Sequence, residues 1–294
     1  MTRTLVIPGR RYEGFGRCIF CPTDLPSSNN LTDEHVIPYY LSGIGEQIIN
    51  NATCVDCAVD TNKEIDTPSS NDDFLLPRLW LRLKRRKSKS PKAPRPAAVI
   101  RQYRSYGRLN YIHPVRIEDN PTIWAFIAFA TAGRLFGEDY GDRVKAGPGY
   151  LNFGDREVTI RVESNERVHD TVEIVDDGKR RARRYVFRWK LNHLNFGRTI
   201  AKIAYCHAIA SRRISIEDAA DLRDAVMGRR KDLFNFVGGF ADSAEEKERL
   251  PKDELHRLHF QTRGEWLTVI VHLFASFGGP AYEVVVGRSA HDKG

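Results

Sequence analysis

Long hydrophobic runs are missing from this chain of 294 residues. The longest apolar stretch, roughly Ile123 to Gly133, falls well short of the ~20 residues a membrane span needs, so no membrane partner is expected. The opening MTRTLVIPGRRYEG has no signal-peptide hydrophobic region, which points to a soluble, cytoplasmic protein. Cysteine is scarce: the five residues 18, 21, 54, 57 and 206 are too few for a secreted disulfide scaffold. Internal repeats are absent. The glycines of FVGGF and FGGPAYEVVVG lack phosphate-loop spacing and read as turns.

Acid is missing from one segment. Between Arg78 and Arg95 there are nine basic residues and no Asp or Glu; set against a net charge of +8, this leaves the rest of the chain near −1, eight less nine. Such a run suits a polyanion, with Arg82, Lys84, Arg85, Arg86, Lys87 and Lys89 as candidate backbone contacts. The plainer alternative is a solvated tether. A second cluster, GKRRARRYVFRWK, reads as a strand with aromatics on one face and charges on the other.

What remains is ordinary globular material, 41% hydrophobic and 29% charged, enough for one large or two modest cores. Composition divides it in three. Residues 1–66 hold every paired cysteine. Residues 67–98 carry five of the 14 prolines and read as a basic linker, with Phe74 to Leu83 docking as a short helix or turn. Residues 99–294 alternate like strands in VIRQY, REVTIRVE, RRYVFRW, ELHRLHF, WLTVIVHLF and YEVVVG. Helices are expected at Pro121–Phe136, about Phe196–Ser211, and Ile216–Met227 after the cap-like Ser215 and Asp218. The mixture predicts an α+β fold.

Four of the cysteines form two pairs, Cys18-x-x-Cys21 and Cys54-x-x-Cys57, separated by thirty-two residues. Two such knuckles supply the four thiolates of a tetrahedral zinc site, with free buried cysteines as the alternative. Four thiolates leave no open coordination position, so this zinc would be structural and chemistry must come from elsewhere. Cys206 reads as a small buried residue on an apolar helix stripe. His256 and His259 point to opposite faces of a strand and do not suit a shared metal.

Between the knuckles lies LTDEHVIPYY, then Asn50-Asn51, then a helix in CVDCAVDTNKEID. This strand, loop, strand, helix order, with E-H-x-I-P bracketed by C-x-x-C pairs, resembles the zinc-stapled ββα-metal nucleases of the HNH endonuclease family over residues 15–66. The resemblance implies a metal-dependent endonuclease acting on DNA, ahead of RNA, in a setting such as bacterial restriction or defence. A neutral imidazole with a pKa of about 6.5 suits removal of a proton from the attacking water, and His35 takes that role. Glu34, with Asp33 as a weaker candidate, helps hold a divalent cation, magnesium or manganese, against the scissile phosphate. By the same resemblance, Asn51 rather than Asn50 orients the imidazole. One departure is Ala58, at the position after the last cysteine where many of these enzymes place a ligating Asn or His. Thr61 or Asn62, three and four residues on, are the expected substitutes. The competing reading is a zinc-ribbon binding or interaction module without turnover. In the nuclease reading, the C-terminal part, of unassigned role, would recognise DNA, sense a ligand or make a homo-oligomer.

Overall fold

The computed structural model describes residues 9–22, 30–42, 47–81, 83, 101–106, 109–114, 123–141, 143–153, 161–165, 169–174, 183–187, 192–241 and 253–289. The elements are mixed α and β, as the patterns predict. The first are β1 (Arg10–Tyr12), β2 (Leu31–His35), the one-turn helix α1 (Tyr39–Ser42) and β3 (Gln47–Cys54). β3 is central, with β1 parallel on one side and β2 antiparallel on the other. Then follow α2 (Val55–Thr61), a π-helical turn at Asn62–Asp66, α3 (Thr67–Asn71) and α4 (Leu75–Trp80).

The register of β2 against β3 contains a bulge. Thr32 lies opposite Thr53 and Glu34 opposite Ile49, so Asp33 alone faces the three residues 50–52. Asn51 absorbs the excess with a left-handed φ of 46°, a conformation Asn tolerates better than most residues. Its N–H donates to Asp33 Oδ1 at 3.1 Å. Beyond Glu34 the pairing resumes, with His35 opposite Ile48.

Packing is continuous across residue 66, where the linker was expected to begin. Ser69, Asp73 and Phe74 are buried. Phe74 stacks on Phe196 at 5.3 Å and leans on Trp124 at 5.6 Å, so the front of the Pro-containing segment contributes to the core. Arg82 and the basic residues of 84–95 lie outside the described residues.

The later elements are β4 (Arg101–Tyr106), β5 (Leu109–Pro114), β6 (Ile123–Phe129), α5 (Gly133–Phe136), β7 (Ala146–Asn152), β8 (Arg161–Asn165), β9 (His169–Ile174) and β10 (Arg183–Phe187). They lead into α6 (His193–Ala210), α7 (Ala220–Val226), β11 (Val237–Phe240), β12 (His256–Arg263), β13 (Trp266–Leu273) and β14 (Ala281–Arg288). An antiparallel sheet in the order β5-β4-β10-β9-β8 includes the RRYVFRW strand; its side chains lie outside the described residues. A second antiparallel sheet, β11-β14-β13-β12, packs against α6.

Two expectations are corrected. The helix predicted at Pro121–Phe136 is instead the strand β6, paired antiparallel with β7, followed by the single turn α5. Its sequence IWAFIAF is β-branched and aromatic, and Ala125, Ile127 and Phe129 face the core at period two. FVGGF, read as a turn, is strand β11. The end of β6 and the residues after it cross β11 so closely that a Cβ on Gly238 would lie 2.1 Å from the Ala132 nitrogen.

The helix predicted at about Phe196–Ser211 is α6, and the one predicted at Ile216–Met227 is helical only over α7, residues 216–219 forming turns. Asn192 caps α6, accepting from the Asn195 N–H at 3.1 Å. Before α7, Ser215 Oγ accepts from the Asp218 N–H at 3.0 Å and donates to the Asp218 carboxylate at 2.9 Å. Among the described residues, no helix is long and apolar enough to cross a membrane.

Candidate metal centre and adjoining cleft

The four paired cysteines converge. Their Sγ atoms all lie within 4.8 Å of one another, with Cys21 at 3.6 Å from Cys54 and 3.8 Å from Cys57. Zn–S bonds of about 2.3 Å in a tetrahedron separate sulfurs by about 3.8 Å, so this cluster is positioned to bind a metal ion and its spacing is consistent with zinc. The first knuckle is tied to the sheet by the Ile19 N–H on the Ala52 carbonyl at 2.8 Å. The Phe20 N–H donates to Cys18 Sγ at 3.4 Å. A hydrogen bond from Cys57 holds Cys18 down to about 5. Burial, and then the Cys18 charge, push Cys21 up to about 12, and the Cys57 thiol is driven upward chiefly by its bond to Cys18. A divalent ion held by the four sulfurs would displace the protons of their thiols.

Beside this cluster opens a cleft of about 930 Å³, at the upper end of the ~300–1,000 Å³ usual for ligand sites. The end of β2 forms one wall through Asp33, Glu34 and His35. The facing wall is the helix leaving the second knuckle, through Ala58, Asn62, Asp66 and Ser70. Steps of four drift around an α-helix, and the wider π turn at 62–66 offsets that drift, keeping these positions on one face.

His35 therefore lines the cleft, half-buried, with its ring edge-on to Tyr39 at 5.9 Å. Glu34 lines it too but is buried and engaged at both oxygens, by Lys202 Nζ at 3.0 Å and by the Thr53 hydroxyl at 3.0 Å. Asp33 accepts from Arg11 at 3.2 Å as well as from Asn51. Asn62 is on the cleft wall. Thr61 is not: it is buried, and its hydroxyl donates to the Cys57 and Ala58 carbonyls at 2.8 and 3.2 Å. Asn51 sits exposed at the bulge, away from the cleft lining. Arg78, first residue of the basic run, reaches the cleft wall, donating to the Ser70 carbonyl at 2.6 Å with its guanidinium over the Tyr40 ring. Arg82, Lys84, Arg85, Arg86, Lys87 and Lys89 are outside the described residues.

Two residues of the site went unread in the sequence. Asp66 lines the cleft and binds Lys202 Nζ at 2.8 Å through Oδ2, while its buried Oδ1 has no hydrogen-bond partner. Burial raises the Asp66 carboxyl, and the Lys202 charge opposes that rise. Lys202 is itself almost wholly buried; burial works against its charge, but Asp66 and Glu34 outweigh burial and hold its pKa above the ordinary lysine value. The available signals were Asp66 at the second step of four along the Ala58 face, and a lysine set within an otherwise apolar stripe of helix.

No protein-family model matches the chain, and no curated protein or solved structure matches it.

Proposed function

We propose that this protein is a metal-dependent DNA endonuclease of the HNH kind, with a structural zinc on Cys18, Cys21, Cys54 and Cys57. The observation that carries the reading is the convergence of His35, at the end of β2, with the Asn62 and Asp66 face of the helix leaving the second knuckle, in one cleft beside the cysteine cluster. This is the strand, strand, helix order that the E-H-x-I-P motif implies.

His35 is the general base. It takes the proton from the attacking water, and its half-buried position on the cleft wall leaves the ring in contact with the reacting space. The oxygens of Asn62 and Asp66 fit a hard divalent cation, magnesium or manganese, with Glu34 contributing from behind. Bound there, the cation would offset charge developing on the phosphate and the departing oxygen. Asp66 and Asn62 thus supply what Ala58 cannot. Arg78 adds a fixed positive group for the phosphate backbone, and the basic run beyond it extends that contact along DNA.

A non-catalytic zinc-ribbon that binds nucleic acid is the second reading, favoured by Ala58 on the cleft wall and by the engagement of both Glu34 oxygens. Supercoiled plasmid incubated with zinc-loaded wild type and magnesium or manganese separates the two. Nicking or linearisation is expected, with at least a 100-fold loss in zinc-loaded His35→Ala, in line with the ~10²–10⁴-fold contribution of general base catalysis. Binding of DNA without cutting by the wild type would establish the second reading.

A further inference from the structure

The helix α6 belongs, by sequence, to the part of the chain with no assigned role, yet its contacts run along the candidate site. Asn195, Thr199 and Lys202 recur at steps of four and three, which places them on one helix face. Asn195 Nδ2 donates to Ser69 Oγ at 2.8 Å and to Asp73 Oδ2 at 3.1 Å. Thr199 and Ser69 share a hydroxyl hydrogen bond of 2.5 Å. A turn further on, Tyr205 donates its hydroxyl to the Ile19 carbonyl, inside the first cysteine knuckle. After α7, Arg229 Nη2 donates to the neighbouring Phe20 carbonyl at 2.7 Å. The same side of the C-terminal part therefore holds both the knuckle and the helix that forms the cleft wall.

Between those anchor points lies Lys202. Its ammonium sits between Glu34 Oε1 at 3.0 Å and Asp66 Oδ2 at 2.8 Å, with only 2% of the lysine side chain exposed. Glu34 comes from the strand that carries His35, and Asp66 from the opposing helix. One buried cation thus spans the two walls of the cleft. Held through Oδ2, Asp66 has Oδ1 left without a hydrogen-bond partner. Held by Lys202 and Thr53, Glu34 is confined to a single orientation directly before His35. Without the ammonium, the buried carboxylate of Glu34 and the partly buried one of Asp66 would lose their shared counterion, and one would protonate or turn toward solvent.

We propose that Lys202 is a positioning residue of the nuclease site, its buried ammonium clamping Glu34 and Asp66 across the cleft that holds His35. The C-terminal part is then a structural component of the active site, and the strand-strand-helix unit does not operate apart from it. This rests on the nuclease reading above.

The test uses the full chain as wild type, Lys202→Met and Lys202→Arg, each checked for zinc content and far-UV circular dichroism. Two quantities are read on the folded protein: manganese affinity, from the electron paramagnetic resonance of free Mn²⁺, and kcat and KM for plasmid nicking. Removing a positive charge beside two carboxylates should tighten Mn²⁺ binding by at least threefold in Lys202→Met. Loss of the clamp should lower kcat by at least tenfold with KM within threefold. A purely structural lysine would move neither quantity in the folded fraction, so values within threefold of wild type for both overturn the proposal. Should Lys202→Met fail to fold, Lys202→Arg decides, because it keeps the positive charge but not the shape of the ammonium between the two carboxylates: kcat lowered at least tenfold with Mn²⁺ affinity within threefold of wild type supports the clamp, and wild-type values of both overturn it. If the wild type does not nick but Lys202→Met still binds Mn²⁺ more tightly, the nuclease reading fails while the role of Lys202 at the cleft stands. If the wild type neither nicks nor binds Mn²⁺, both fall.

Discussion

Asp73 shows how a single buried acid makes stability depend on pH. Burial pushes its carboxyl up to about 7, although Oδ2 accepts from Ser69 at 3.1 Å and from Asn195 at 3.1 Å. The native state then holds a proton that the unfolded chain releases near pH 4, so between about pH 4 and 7 the native state binds more protons. Stability falls as pH rises through that window. Asp73→Asn keeps the hydrogen-bonding shape without the charge. Its melting temperature should match wild type near pH 4 and exceed it at pH 8, with a gain of up to about 4 kcal/mol. His256 works in the opposite sense. Burial holds it down to about 4, and it accepts from the Phe274 N–H at 3.1 Å, so its other nitrogen donates to the Leu41 carbonyl at 3.0 Å. Its folded pKa lies below the unfolded value, so its contribution is lost as pH falls from about 6.5 toward 4. The difference between variant and wild type, rather than either curve alone, therefore isolates Asp73. For Lys202, whose removal leaves buried carboxylates unpaired, the Met variant should lose about 3–5 kcal/mol in denaturant unfolding.

At the scale of elements, close backbone approach decides where local propensity does not. Gly238 and Gly239 in β11 lie beneath the residues that follow β6, and the Gly239 N–H donates to the Ala130 carbonyl at 2.9 Å. Gly238→Ala would drive a methyl group into the Ala132 nitrogen. A loss of about 1–3 kcal/mol is expected from thermal unfolding, with the cysteine cluster unaffected because it lies elsewhere in the fold. A variant as stable as wild type would show that this crossing relaxes freely. Helix α6 was legible from its apolar spacing, whereas the Asn192 cap that starts it was not read. Strand β6 was misread because IWAFIAF is apolar throughout and periodicity alone does not separate a buried strand from a helix; its pairing with β7 settles the matter. The π turn at 62–66 has no sequence signature, and it moves Asp66 into the cleft.

For the whole molecule, one hydrophobic cluster includes Phe20 and Ile37 from the first part of the chain, Phe74 from the Pro-containing segment, and Trp124, Phe196 and Val284 from the rest. The cysteine cluster is built into this body rather than held on a tether. Purified protein is expected to carry one zinc per chain, measurable by elemental analysis. Stripping it with a strong chelator should lower the melting temperature by more than 10 °C, since the knuckle at 18–21 and the start of α2 are joined through the four sulfurs. Retention of the wild-type melting temperature after complete metal removal would show that packing alone closes the site.

The sequence by itself determined the local chemistry: the two knuckles, the Glu34-His35 step at a strand end, the helix after Cys54, the cap near Ser215, and the mixed α and β character. Each is encoded by residues a few positions apart, where covalent geometry and periodicity act directly. Only the tertiary structure decided that Phe74 is core, that Glu34 is clamped from behind, that Asp66 and Asn62 line one cleft with His35, and that Lys202 joins its walls. Those facts depend on residues separated by as many as 168 positions, such as Glu34 and Lys202, brought together by burial of α6. A buried charge is stable only where its partner also is, and that pairing is a property of the packed molecule rather than of any local stretch of sequence.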